Sequence, residues 1–209
     1  IAAGKDPVSL PRELSYIGVM LDDLVTKEIV EPYRLFTSRA EYRLHLRQDN
    51  SDLRLCEFAR RYGLLPDEKY RQFCCYRDRL EERTNAVMTE KFQNRTIWEW
   101  MRQMKGDETA PLPFPPELSG LDLTDAVDRR VFRQLLIQSH HEGYLKREND
   151  SIAKLNKLEC WKISPEFDYD SIKGLKNESR LKLKKVAPTT LAQAGRIDGI
   201  TPAEIALLQ

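Results

Sequence analysis

Much of what an enzyme needs is missing from this 209-residue sequence. It has no run of about eighteen apolar residues, which excludes a helical membrane span. No Gly-x-Gly-x-x-Gly occurs, so nothing here can cradle a dinucleotide pyrophosphate. Its four cysteines (Cys56, Cys74, Cys75, Cys160) lack metal-ligand spacing, because Cys74 and Cys75 are adjacent and no histidine follows at ligand distance. They read as idle thiols of a reducing, cytoplasmic compartment. The three histidines (His45, His140, His141) have no serine, cysteine and carboxylate companions, and read as surface or interhelical residues. Neither catalytic nor metal-ligating residues are therefore assigned. Net charge is only +1, so any nucleic-acid surface must be a local patch. The opening IAAGKDPVSL lacks the regions of a signal peptide and an initiator methionine, and the chain is expected to be cut from something longer.

What is present describes a globular protein rich in charge, 41% apolar and 32% charged, and long enough for one or two domains. The pattern is mainly α: a helical subdomain followed by a smaller C-terminal helical bundle. Residues 1–30 read as the end of a preceding domain and a connecting helix, in which Ile17, Met20, Leu21 and Leu24 lie at helical spacing with Asp22 and Asp23 outside. Those aspartates are expected to bridge downstream arginines; a paired-carboxylate active site is the sharper alternative. Residues 31–108 form the first subdomain, with a helix over Asp52–Tyr62 stopped at Gly63, a long helix from Pro66 to about Phe92, and a short one over Thr96–Met104. The four prolines of TAPLPFPPELSG, residues 109–120, mark a linker. Residues 121–209 form the second subdomain. There, Asp128–Leu158 reads as one long helix or two nearly continuous ones, followed by short helices over Asn177–Val186, Thr190–Ile197 and Thr201–Leu208. Thr190 and Thr201 are plausible N-caps, and Pro202 sits in a first turn.

The densest chemistry lies in EPYRLFTSRAEYRLHLRQDNSDLRL, residues 31–55, where Arg34, Arg39, Arg43, Arg47 and Arg54 are interleaved with Tyr33, Phe36 and Tyr42. Alternation over Ala40–Leu46 fits a half-buried strand, whereas Ser38-Arg-Ala-Glu41 is a capping box that would start a helix. The helix is favoured, and it would stack Arg39, Arg43 and Arg47 on one face. Guanidiniums suit phosphate oxygens and tyrosines offer stacking surfaces for unpaired bases; the alternative is a solvated face paired to Glu41 and Asp49.

The wording of that stretch resembles the signature segment of the MnmG (GidA) family, with His45 where the family has an apolar residue. EGYLKR, residues 142–147, and LAQAGRIDGITPAEI near the end are similar to further elements of that family. The resemblance implies the C-terminal helical part of a larger tRNA-modifying flavoenzyme. That enzyme uses FAD and NADH, a one-carbon unit and glycine or ammonium, and acts at C5 of the wobble uridine of tRNA with the GTPase MnmE. A homodimer is expected of the full-length protein. Neither cofactor is expected on this chain, which alone would not be catalytic. On this reading Arg34, Arg39, Arg43, Arg47, Arg54, Lys146 and Arg147 bind tRNA, and the C-terminal helices meet the GTPase. The competing expectation is a protein–protein adaptor that docks on the FAD domain and the GTPase, with its arginines used internally and no RNA contact.

Overall fold

The computed structural model describes residues 8, 10–27, 29, 32–34 and 40–208. Among these, the elements in order are α1 (Tyr16–Thr26), α2 (Ser51–Arg61), α3 (Asp67–Thr89), β1 (Lys91–Phe92), β2 (Arg95–Thr96), α4 (Ile97–Gln103), a 3-10 turn (Pro116–Ser119), α5 (Ala126–Glu159), α6 (Asn177–Val186), α7 (Leu191–Arg196) and α8 (Pro202–Leu207). The protein is mainly helical, as its patterning requires. It divides into two compact units: Leu44–Lys146, and Ile1–Arg43 together with Arg147–Gln209.

The unit Leu44–Lys146 is built on α3. Its buried residues Phe73, Tyr76, Leu80 and Val87 fall on one helical stripe, leaving the charged remainder in water. Onto that stripe pack Ile97, Trp98 and Met101 of α4 and Val131, Phe132, Leu135 and Leu136 of α5. The end of the expected Pro66–Phe92 helix is instead a hairpin. Gln93 and Asn94 both take positive φ, which makes the two-residue turn that joins β1 to β2 and ends the helix at Thr89. Thr96 then starts α4 with a reciprocal capping box to Glu99.

The proline-rich segment differs from its expected role as a joint. Phe114 and Leu121 are buried in the α3–α4–α5 core, and Leu112 and Leu118 pack against it. Prolines stop helices but do not prevent burial of the apolar residues between them. Gly120, at φ 63°, leaves room for the Arg83 guanidinium where a Cβ would collide.

Helix α5 is continuous for 34 residues, through Gly143. Its buried residues end at Ser139, and the chain passes into the other unit between Lys146 and Arg147. There the second core gathers Ile163, Tyr169, Leu175, Leu183, Leu191, Ala194, Ile197, Ile205 and Leu208. Short helices α7 and α8 are fixed by their caps: Thr190 Oγ accepts from Gln193 N–H, and Thr201 forms a capping box with Glu204 ahead of Pro202. The buried Glu204 also accepts from Ser179 Oγ at 2.5 Å, which ties α8 to α6. That bond, with those from Thr201, holds its carboxyl down at about 2.

Helix α1 is turned opposite to the expected way. Gly18, Val19, Asp23 and Thr26 are its buried residues, while Ile17, Leu21 and Leu24 are exposed. Two causes act together. A Cβ at Gly18 would collide with the carbonyls of Leu10 and Pro11, so the incoming chain lies tight against that face. Arg12, in that chain, draws Asp22 and Asp23 toward itself.

Candidate functional site

Residues 40–50 of the arginine-rich stretch are not helical; its last five residues, 51–55, open α2. Residues 41–46 form successive turns, and Tyr42 sits at φ 53°, in the left-handed region. Ser38 and Arg39, which the expected helix start needs, lie outside the described residues, as does Phe36. Arg43 and Arg47 therefore do not stack along one helical face. The local reason is side-chain competition for the backbone. Arg47 Nη1 donates to Leu44 O at 2.6 Å, Asn50 Nδ2 to His45 O at 2.9 Å, and Arg54 Nη2 to Arg47 O at 2.8 Å. Leu46, 2% exposed, pins the loop to the interior.

Arg47 is held rather than presented. Its Nε donates to Asp49 Oδ1 at 3.0 Å and its Nη2 to Gln134 Oε1 at 2.9 Å, with the side chain 15% exposed. Gln134, buried on α5, closes the set by donating to Asp49 O and Oδ2. Burial alone would raise the Asp49 carboxyl, but the bonds from Arg47 and Gln134 hold it below the usual range. Arg54 Nε donates to Asn50 Oδ1 at 3.1 Å, so that guanidinium also braces the loop.

Arg34 and Arg43 are exposed, and no hydrogen bond or ion pair joins either to the described residues. Tyr33, next to Arg34, is half-buried and its hydroxyl donates to Asp23 Oδ2 at 3.0 Å, so its edge is engaged within the protein. Lys146 and Arg147 are exposed on α5. Of the seven candidate cations, four (Arg34, Arg43, Lys146, Arg147) reach solvent, two (Arg47, Arg54) are structural, and Arg39 lies outside the described residues.

The strongest cluster of charge is one that sequence reasoning missed. Arg12 donates to Glu41 Oε2 from Nη2 at 2.6 Å, and from Nη1 to Asp22 at 2.8 Å and Asp23 at 2.9 Å. Arg196 of α7 reaches Asp22 Oδ1 at 3.0 Å and Glu159 at 2.8 Å, and Thr190 donates to Glu159 Oε2 at 2.7 Å. Asp22 and Asp23 thus pair with Arg12, Arg196 and Lys27 rather than with the described arginines of the signature stretch. Burial opposes ionisation of Asp23, yet its bonds from Arg12 and Lys27 keep its carboxyl below the ordinary value. Beside this network runs a cleft of about 660 Å3, lined by residues that include Arg12, Leu21, Asp22, Tyr42, Glu159 and Arg196. Burial, then the charge of Glu41, push the Tyr42 phenol up to about 12, so it stays neutral. Both arginines of the lining are answered by carboxylates, and Lys162 is its further cation. The only sequence signal for the network was a surplus of acids on α1; the partners lie as far as 174 positions apart.

Among the described residues no group of histidine, cysteine and carboxylate side chains could hold a metal ion, and no helix is long and apolar enough to cross a membrane. The glycine-rich turn that would cradle the pyrophosphate of FAD or NADH does not occur in the sequence.

Comparison with known proteins gives a consistent answer. Residues 151–209 match the family described as tRNA modifying enzyme MnmG/GidA C-terminal helical bundle. Over 222 residues the chain is 41% identical to the tRNA uridine 5-carboxymethylaminomethyl modification enzyme MnmG of Lacticaseibacillus paracasei, covering 99% of this chain and 35% of that protein. The Bacillus subtilis enzyme of the same name is 41% identical over 227 residues, with the same shares of each chain. Two crystal forms of Aquifex aeolicus GidA, each 42% identical over 99% of this chain, superpose with TM-scores of 0.81 (form II, 35% of that chain) and 0.74 (form I, 33%). The chain spans about a third of the length of these relatives. With the helical architecture, the bundle and the arginine-rich segment all in place, the chain belongs to the MnmG/GidA family, as the counterpart of its C-terminal helical region.

Proposed function

We propose that this chain is the tRNA-binding and partner-binding helical part of an FAD-dependent enzyme that modifies C5 of the wobble uridine of tRNA, adding a carboxymethylaminomethyl-type group. Arg34, Arg43, Lys146 and Arg147, with Arg39, contact the phosphate backbone. Arg47 and Arg54 act at one remove, by fixing the loop that follows Arg43. FAD, NADH and the modification chemistry belong to the remainder of the parent protein, which acts as a cytoplasmic homodimer. The C-terminal bundle offers a surface to the GTPase MnmE. The supporting observation is the Arg43 guanidinium, exposed on a turn and without a partner among the described residues. An exposed guanidinium keeps its whole donor fork for a phosphate.

A second reading is favoured by Arg47 and Arg54, whose donors serve this chain's own structure: an adaptor that meets the GTPase and the FAD domain without touching RNA. Parallel pull-downs separate the two. Immobilised tRNA should retain the wild-type chain and release the Arg34→Ala/Arg43→Ala variant, while capture by the GTPase is the same for both. Capture by the GTPase with no retention on tRNA in either form would favour the adaptor.

A further inference from the structure

Helix α1 presents apolar side chains to solvent in an ordered row. Ile17, Leu21, Leu24 and Val25 are 56, 48, 48 and 61% exposed, at spacing i, i+4, i+7, i+8. Other exposed apolar side chains, such as Met88, Tyr144 and Leu181, sit on different helices, the ordinary state of a protein surface. The opposite face of α1 is already closed by Gly18, Val19, Asp23 and Thr26. A helix closed on its polar-bearing side and apolar on its outer side belongs inside a larger body.

The identity of the covering surface follows from charge and from chain length. Nothing on α1 could attract a phosphate: Tyr16–Thr26 contains no lysine or arginine and carries two aspartates. The match at residues 151–209 is to the family's C-terminal bundle, so the larger part of the relatives' length precedes the region shared with this chain. Helix α1 is the first described helix, nearest in sequence to that preceding part. Covalent continuity would hold such a part at high effective concentration beside it. We propose that the row Ile17–Leu21–Leu24–Val25 is the seat of an apolar surface on the polypeptide that precedes this region in the family. The arginines of the signature stretch are thereby left free of that duty.

The test compares this chain alone with the same chain joined behind the preceding part of the Bacillus subtilis relative, each as wild type and as Ile17→Glu/Leu24→Glu. Thermal melting and hydrogen exchange of the α1 amides are read in all four. The substitutions should leave the short chain unmoved, because both side chains already face water. In the joined chain they should lower the melting temperature and cut α1 protection by about tenfold or more. An equal response in both chains, or none in either, overturns the proposal. So does a short chain that dimerises as wild type and turns monomeric on substitution, which assigns the row to a second copy. Leu181→Glu, at a 68% exposed site on α6, controls for the added charge and should change neither chain.

Discussion

The two compact units are held together by different means. In Leu44–Lys146 aromatic and aliphatic side chains from α3, α4, α5 and the proline-rich segment meet in one core, with Asp128 also buried in that unit. In the other unit a smaller core beneath α6, α7 and α8 is supplemented by a charge network in which Asp22 joins Arg12 to Arg196. Dispersion and burial do not depend on protonation, whereas carboxylate-based pairs depend on ionisation. The second unit, with the denser buried charge network, is therefore expected to respond more to pH.

Substitution in the larger core should have the greatest effect. Leu135 is fully buried, and Leu135→Ala should cost about 2–5 kcal/mol in urea unfolding. A loss well under 1 kcal/mol would mean that this unit is looser than its packing indicates. Next come the two arginines of the loop. Arg47→Ala removes the partner of a part-buried carboxylate and of Gln134, and should cost about 1–3 kcal/mol. Arg43→Ala should stay within about 0.5 kcal/mol of wild type, since nothing described leans on it.

A further prediction tests solvent response. The Glu204 carboxyl, ordinarily near 4.5, is held at about 2 in the folded bundle, so its contribution is fully present above about 4.5. It disappears as pH falls through 2. In an acid titration followed by hydrogen exchange, α6 and α8 should loosen over that window, and Glu204→Gln should flatten the response. Helices α3 and α4, packed mainly through apolar side chains, should change less over the same range.

Sequence patterning made the helices legible where one local signal sufficed. Asn177–Val186 is α6 residue for residue, and the threonines at 190 and 201 cap the helices they precede. It misled where a local signal was overruled. A helical stripe on α1 faces out because Gly18 and Arg12 commit the other side, and a capping-box motif at Ser38–Glu41 precedes turns because Arg47, Asn50 and Arg54 capture backbone carbonyls. The hairpin at Gln93–Asn94 lacked the usual glycine. Arg47 and Arg43 look alike in sequence; only the fold brings Gln134 to one and leaves the other bare.

The most direct measurement is tRNA binding titrated against salt, for wild type and for Arg34→Ala/Arg43→Ala. Two lost phosphate contacts should weaken affinity and make the slope of log K against log salt shallower by about 1 to 2, with the melting temperature unchanged. An unaltered slope and affinity in a folded variant would contradict the assignment of these arginines to RNA.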